Sequence, residues 1–247
     1  MITLEVCCGS YEDCMNAYKG NAKRVELNSS LFLGGLTPSL GSLVLTKKNT
    51  DLEVICMVRP RGAGFYYTEV EYEGMLVDAK LLMEHGADGL AFGFLHEDKT
   101  VDVERTKEMV DLIHKYNGQA VFHRAFDMID DKDTAIEQLI ALGVDRILTS
   151  GGYPTAPEGI EVLAHLQAHY GDKIQLLAGG GVHPHNVIEL IEKTGLTQVH
   201  SSCKEWIVDP TTIAKRNSCS FNKDMYDIVS EDRVRILKEK IDEYGNV

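Results

Sequence analysis

Short apolar runs alternate with amphipathic stretches along all 247 residues, and this predicts an α/β chain folded as a single (β/α)8 TIM-type barrel. Three observations carry that expectation. The alternation of strand and helix is strict, as a parallel sheet with crossover helices requires. The length suits one barrel, which commonly runs to about 250 residues. No Gly-x-Gly-x-x-Gly follows the first strand, which argues against an open dinucleotide-binding sheet.

Strands are expected at 2–7, 23–28, 53–58, 89–93, 119–123, 144–149, 174–178 and 197–200. In the first, Leu4 and Val6 alternate with Glu5 and Cys7, so one pair should face the helices and the other the barrel interior. The second repeats the pattern, with Val25 and Leu27 outside and Arg24, Glu26 and Asn28 inside. Residues 27–46 carry no charge, but Gly, Ser, Thr and Pro interrupt them, so they read as a loop plus a short helix and not as a membrane span. The third strand ends in Arg59-Pro60-Arg61-Gly62. Ahead of the fourth, residues 72–84 gather Met75, Ala79, Leu82 and Met83 on one helical face, and Gly86-Ala87-Asp88 ends that helix. The fifth strand runs through Val121-Phe122 into His123-Arg124-Ala125-Phe126-Asp127. A helix over 133–142, with Ala135, Ile136, Leu139, Ile140 and Leu142 as its stripe, closes at Gly143. The sixth strand leads into Thr149-Ser150-Gly151-Gly152, the seventh into Gly179-Gly180-Gly181-Val182, and the eighth ends at His200-Ser201. About thirty residues, roughly 201–230, then precede the last helix, a loop long enough for a lid or an interface arm. No linker interrupts the chain, so residues 1–247 read as one domain.

With 38 acidic and 25 basic residues the net charge is −13, which speaks against a nucleic-acid partner. Six cysteines without a regular framework read as reduced thiols, and the N-terminus shows no basic-then-apolar leader. A cytoplasmic protein without a membrane partner is the expectation.

Function in such barrels gathers at the C-terminal ends of the strands. There, Arg59, Arg61, Arg124 and His200 join two glycine turns, Ser150-Gly151-Gly152 and Gly179-Gly180-Gly181, whose backbone N–H groups suit a small anion. Glu5, Glu26, His123 and Asp127 are the residues there able to move protons. One expectation is therefore an enzyme acting on a small anionic metabolite, phosphorylated ones included. The arginines also have a structural reading, in which Arg59 and Arg61 pair with buried Glu5 and Glu26 in a barrel-lining lattice. His183-Pro184-His185 sits at a helix start and is expected to be solvated.

Taken in order, Glu5-Val6-Cys7, Arg24-Val25-Glu26-Leu27, Gly34-Gly35-Leu36-Thr37-Pro38-Ser39-Leu40-Gly41, Arg59-Pro60-Arg61-Gly62, Phe122-His123-Arg124-Ala125-Phe126-Asp127, Arg146-Ile147-Leu148-Thr149-Ser150-Gly151-Gly152, Gly179-Gly180-Gly181-Val182 and His200-Ser201 resemble one family over about residues 1–202. That family is the CutC copper homeostasis family. The resemblance implies a cytosolic barrel, a homodimer or homotetramer, associated with copper tolerance and proposed to bind copper(I). It also implies that thiols at the ends of strands one and two are the ligands. Cys7 falls on the first position, and Asn28 stands at the second. Other sulfur would have to come from inward-facing Met57 or from Cys203 or Cys219 of the late loop, because Cys8 and Cys56 should face the helices and Cys14 belongs to the first helix.

Overall fold

The structure, a computed structural model, describes residues 2–212 and 225–245. Eight parallel strands close a barrel in sequence order: β1 (Thr3–Cys8), β2 (Arg24–Leu27), β3 (Glu53–Met57), β4 (Gly89–Phe92), β5 (Gln119–Phe122), β6 (Arg146–Thr149), β7 (Gln175–Gly179) and β8 (Gln198–Ser201). The helices that cover it are α1 (Tyr11–Lys19), α2 (Leu40–Asn49), α3 (Glu69–Glu84), α4 (Val103–Lys115), α5 (Lys132–Leu142), α6 (Ile160–Tyr170), α7 (Val187–Thr194) and α8 (Glu231–Gly245). Local chemistry sets their ends. Thr68 and Glu71 form a reciprocal capping box that starts α3, and Gly143 and Gly195 take left-handed conformations where α5 and α7 stop.

Between barrel and helices lies the main core, into which β1 to β3 send Leu4, Val6, Cys8, Val25, Leu27, Val54 and Cys56. Inside the barrel, Ile55, Met57, Ala91 and Val121 form a small apolar cluster, and Leu148 lines the cavity at the mouth. Much of the interior is charged. At the end where the strands begin, Arg24 bonds Gln198 at 2.6 Å and pairs with Glu5 at 2.7 Å. Arg146 lies 3.7 Å from Glu5 and 3.9 Å from Glu53 and also bonds Gln119 and Gln175. A buried Arg–Glu lattice is thus present, but its cations are Arg24 and Arg146. Arg59 and Arg61 take no part, because strand three places them beyond the barrel's C-terminal rim.

The late segment departs from a plain loop. β9 (Lys204–Val208) and β10 (Met225–Val229) pair antiparallel, with Trp206 opposite Asp227. Aromatic and β-branched residues favour such pairing. Asp13 of α1 accepts from the Val229 N–H at 2.7 Å and anchors the arm's return. Cys219 lies outside the described residues.

Candidate metal centre and cavity at the barrel mouth

Register brings distant residues to one level. Glu5 is opposite both Arg24 of β2 and His200 of β8, and Cys7 is opposite Glu26. Because side chains alternate along a strand, these residues all project into the barrel. His200 Nδ1 lies 2.9 Å from Glu5 Oε1, which leaves Nε2 facing Glu26 Oε2 at 3.9 Å. Cys7 Sγ lies 3.8 Å from the same Glu26 oxygen. Ligand atoms of Cys7, Glu26 and His200 all fall within 4.8 Å of one another.

Asn28 completes this wall. Its amide donates to Glu26 Oε2 at 2.9 Å and approaches Cys7 Sγ at 3.6 Å. Its Oδ1 packs where a side chain on Gly35 would stand, only 2.4 Å from that would-be Cβ, and Gly35 has φ +86°. A glycine is therefore required at this point of the loop.

The charges of the cluster are mutually dependent. Burial alone would lower the His200 pKa, but its hydrogen bonds to Cys7 and Glu5 and the charge of Glu26 hold it well above the usual imidazole range. For Glu5, burial pushes up, yet the His200 hydrogen bond and the Arg24 charge prevail and keep the carboxyl well below the usual range. Burial raises Cys7 and Glu26, with Glu5 adding repulsion to both. These shifts favour the protonated forms of His200 and Cys7.

Cys7, Glu26 and His200 form one wall of a cavity of about 490 Å³, which Met57, Arg59, Phe65, His123, Arg124, Gly180, Gly181 and Lys204 also line. Arg59 reaches across the mouth, donating to the carbonyls of Leu33, Gly35 and Ala63 at 2.9, 3.0 and 2.7 Å. Arg61 turns away, pairing with Glu71 and donating to the Tyr66 carbonyl, and it is absent from the cavity wall. His123 Nδ1 accepts from the Ala125 N–H at 3.1 Å, which assigns the ring proton to Nε2. Burial and then the Arg59 charge lower its pKa to about 3, so the ring is neutral. Phe65, which sequence reasoning left without a role, lies over both, its ring 4.8 Å from the His123 ring and 5.2 Å from the Arg59 guanidinium carbon.

The two glycine turns differ. Asp127 fills the first, where Oδ1 accepts from Thr149 Oγ1 at 2.5 Å and from the N–H groups of Ser150 and Gly152 at 3.0 Å. Its Oδ2 accepts from Ser150 Oγ at 3.0 Å and from Arg124 Nε at 2.7 Å, and the Gly151 N–H is taken by Thr149 Oγ1. The amides of Ser150, Gly151 and Gly152 are therefore engaged inside the protein, and Asp127 is a brace more than a proton carrier. In the second turn, Gly180 and Gly181 have φ +101° and +72°. The N–H groups of Gly181 and Val182 have no backbone or side-chain acceptor among the described residues.

Sequence reasoning put His200 on an anion-binding rim and Glu26 among acid–base groups, and the structure joins both to Cys7. The signal was partly available, since alternation turns each of them inward. Their meeting depends on β8 closing against β1, which no local pattern encodes. His183 and His185 are exposed, as their helix-start position implies. Cys203 is buried beside Ser201, with its thiol 3.5 Å from Ser201 Oγ. Among the described residues, no helix is long and apolar enough to cross a membrane.

Comparison with known proteins adds an independent line. The CutC family model matches residues 2–205. A CutC family protein of Treponema denticola is 48% identical over 213 residues, 86% of each chain. The mouse (Mus musculus) copper homeostasis protein cutC homolog is 40% identical over 201 residues, 81% of this chain and 73% of that one. Among solved structures, a chain of Streptococcus agalactiae named for CutC is 32% identical with TM-score 0.77, covering 82% of this chain and 99% of that one. A phosphoribosylanthranilate isomerase from Thermotoga maritima shares the barrel alone, at 12% identity and TM-score 0.57 over 98% of this chain and 99% of that one.

Proposed function

The chain belongs to the CutC family, and we propose from that premise that it is a copper homeostasis protein whose cargo is copper(I), held by Cys7 and His200 at the barrel mouth. The observation that carries this reading is the convergence of Cys7, Glu26 and His200 within 4.8 Å. Copper(I) favours soft sulfur and accepts imidazole, so the Cys7 thiolate and His200 Nε2 are the fitting donors. Glu5 accepts from His200 Nδ1 and so presents Nε2 to the metal, the carboxylate–histidine arrangement common around metal ligands. Glu26 is a hard donor, and its role is to hold negative charge beside the cation. Asn28 keeps Glu26 in place where a second thiol would otherwise stand.

With one thiolate and one imidazole the site is open and suited to exchange, not to permanent storage. We expect modest copper(I) affinity. Competition against a copper(I) chelator under reducing conditions tests this, with Cys7→Ser abolishing binding and His200→Ala weakening it at least tenfold. Binding undiminished in Cys7→Ser would refute the placement. With the family reading go a cytoplasmic location and a homodimer or homotetramer, for which exposed Ile207, Val208 and Tyr226 on the β9–β10 arm offer a contact face. Sedimentation velocity tests the assembly.

A further inference from the structure

Two glycine turns of similar construction stand side by side on the rim, and one of them already holds a carboxylate. Asp127 in the β6 turn is bound by backbone N–H groups, hydroxyls and Arg124. Arg124 belongs to both turns. Its Nε is bound to Asp127 and its Nη2 to Ser150 Oγ at 2.7 Å, which fixes the guanidinium plane. Its Nη1 lies 3.4 Å from the point where a Cβ on Gly180 would stand, so guanidinium and backbone are in contact there, and the φ of +101° favours glycine at that position. No described residue accepts from Nη1, nor from the N–H groups of Gly181 and Val182. Arg124, Gly180, Gly181 and Val182 all line the cavity.

We propose that the β7 turn, with Arg124 Nη1, is a binding site for the oxyanion of a small organic ligand, a carboxylate or a phosphate monoester, whose body occupies the cavity. A fixed guanidinium beside the free amides of Gly181 and Val182, in a turn shaped by two left-handed glycines, is the chemistry that recognises an oxyanion. The body of such a ligand would meet apolar Leu31, Met57, Phe65 and Leu148. The cavity's 490 Å³ lies within the range usual for small-molecule sites. In a protein of net charge −13, this cationic corner also gives an anion a local reason to bind. The oxyanion-holding groups are distinct from the Cys7–Glu26–His200 cluster, which lines the same cavity, so the anion site does not rest on the copper reading.

The test is a titration of the full chain at constant ionic strength, following the backbone amide resonances of Gly181 and Val182. Inorganic phosphate is one arm and malonate the other. Saturable shifts of both resonances are expected with at least one of them, and the arm that saturates assigns the anion. Arg124→Ala should weaken binding at least tenfold, with Arg124→Lys restoring only part, because one ammonium cannot serve Asp127 and a ligand together. Arg61→Ala, whose side chain points away from the cavity, should bind like the wild type. Should Arg124→Ala unfold, Gly181→Asp provides the second variant. Asp tolerates φ near +72°, its Cβ would press on Thr155 at 3.2 Å, and the negative charge it adds beside the turn should abolish the titration. The absence of saturable shifts with both anions, or unchanged affinity in Arg124→Ala or Gly181→Asp, would overturn the proposal.

Discussion

At the scale of single residues, two histidines at the same mouth are held in opposite states by their neighbours. His200 sits among Glu5, Glu26 and Cys7 and retains its proton, whereas His123 loses it to burial first and to the nearby Arg59 charge second. Copper(I) held as proposed would displace protons from His200 and Cys7, since both pKa values are raised. We therefore expect affinity to rise with pH, about tenfold per unit for each proton released, readable by chelator competition across pH 6–8. For His123 the sign runs through stability. Between about pH 6.5, where the unfolded imidazole titrates, and about pH 3 in the folded protein, only the unfolded chain takes up this proton. Stability should fall with acidification through that window, by up to roughly 1.4 kcal/mol per pH unit. His123→Gln should flatten that slope in denaturant titrations at pH 5 and 6.5. The inward alternation of Glu5, Cys7, Glu26 and Asn28 could be read directly from two short strands. The opposite charge states of the histidines could not, because each depends on a partner supplied by another strand or loop.

Among elements, the β6 turn shows what glycine spacing reveals and what it conceals. Ser150-Gly151-Gly152 can be recognised as an anion-cradling turn from sequence. Its occupant, a carboxylate from the segment after β5, emerges only when both ends of neighbouring strands are in place. Asp127→Ala would leave Thr149, Ser150, Gly152 and Arg124 without their acceptor. It should cost about 3 kcal/mol or more in chemical denaturation, with Asp127→Asn retaining part of the loss-prone hydrogen bonds. The β9–β10 arm is the element least visible beforehand. A strict strand–helix rhythm leads one to expect a single strand before the last helix, and the additional antiparallel pair lies outside that rhythm.

Over the whole molecule, the barrel separates a charged structural base from a functional mouth. Its eightfold plan was legible because the period of the apolar residues changes from strand to helix with each repeat. The sorting of arginines between base and mouth was less so, since Arg24, Arg59 and Arg146 each follow or lie in a strand and differ only in height along it. Arg146 is 1% exposed, shares Glu5 with Arg24 and bonds Gln119 and Gln175, so Arg146→Ala breaks a buried ionic network and leaves a cavity in the barrel base. A loss of about 3–5 kcal/mol in stability is expected, measured by denaturant unfolding. Arg61→Ala, by contrast, removes a surface pair with Glu71 and should change stability by less than about 1 kcal/mol. Whether one sulfur and one imidazole at the mouth receive copper(I) is decided by X-ray absorption at the copper edge on the reduced, copper(I)-loaded protein. A first shell containing one protein sulfur and one imidazole nitrogen is expected, with the sulfur lost in Cys7→Ser and the imidazole scattering lost in His200→Ala. A shell of two protein sulfurs, or a spectrum unchanged by either substitution, would contradict this assignment.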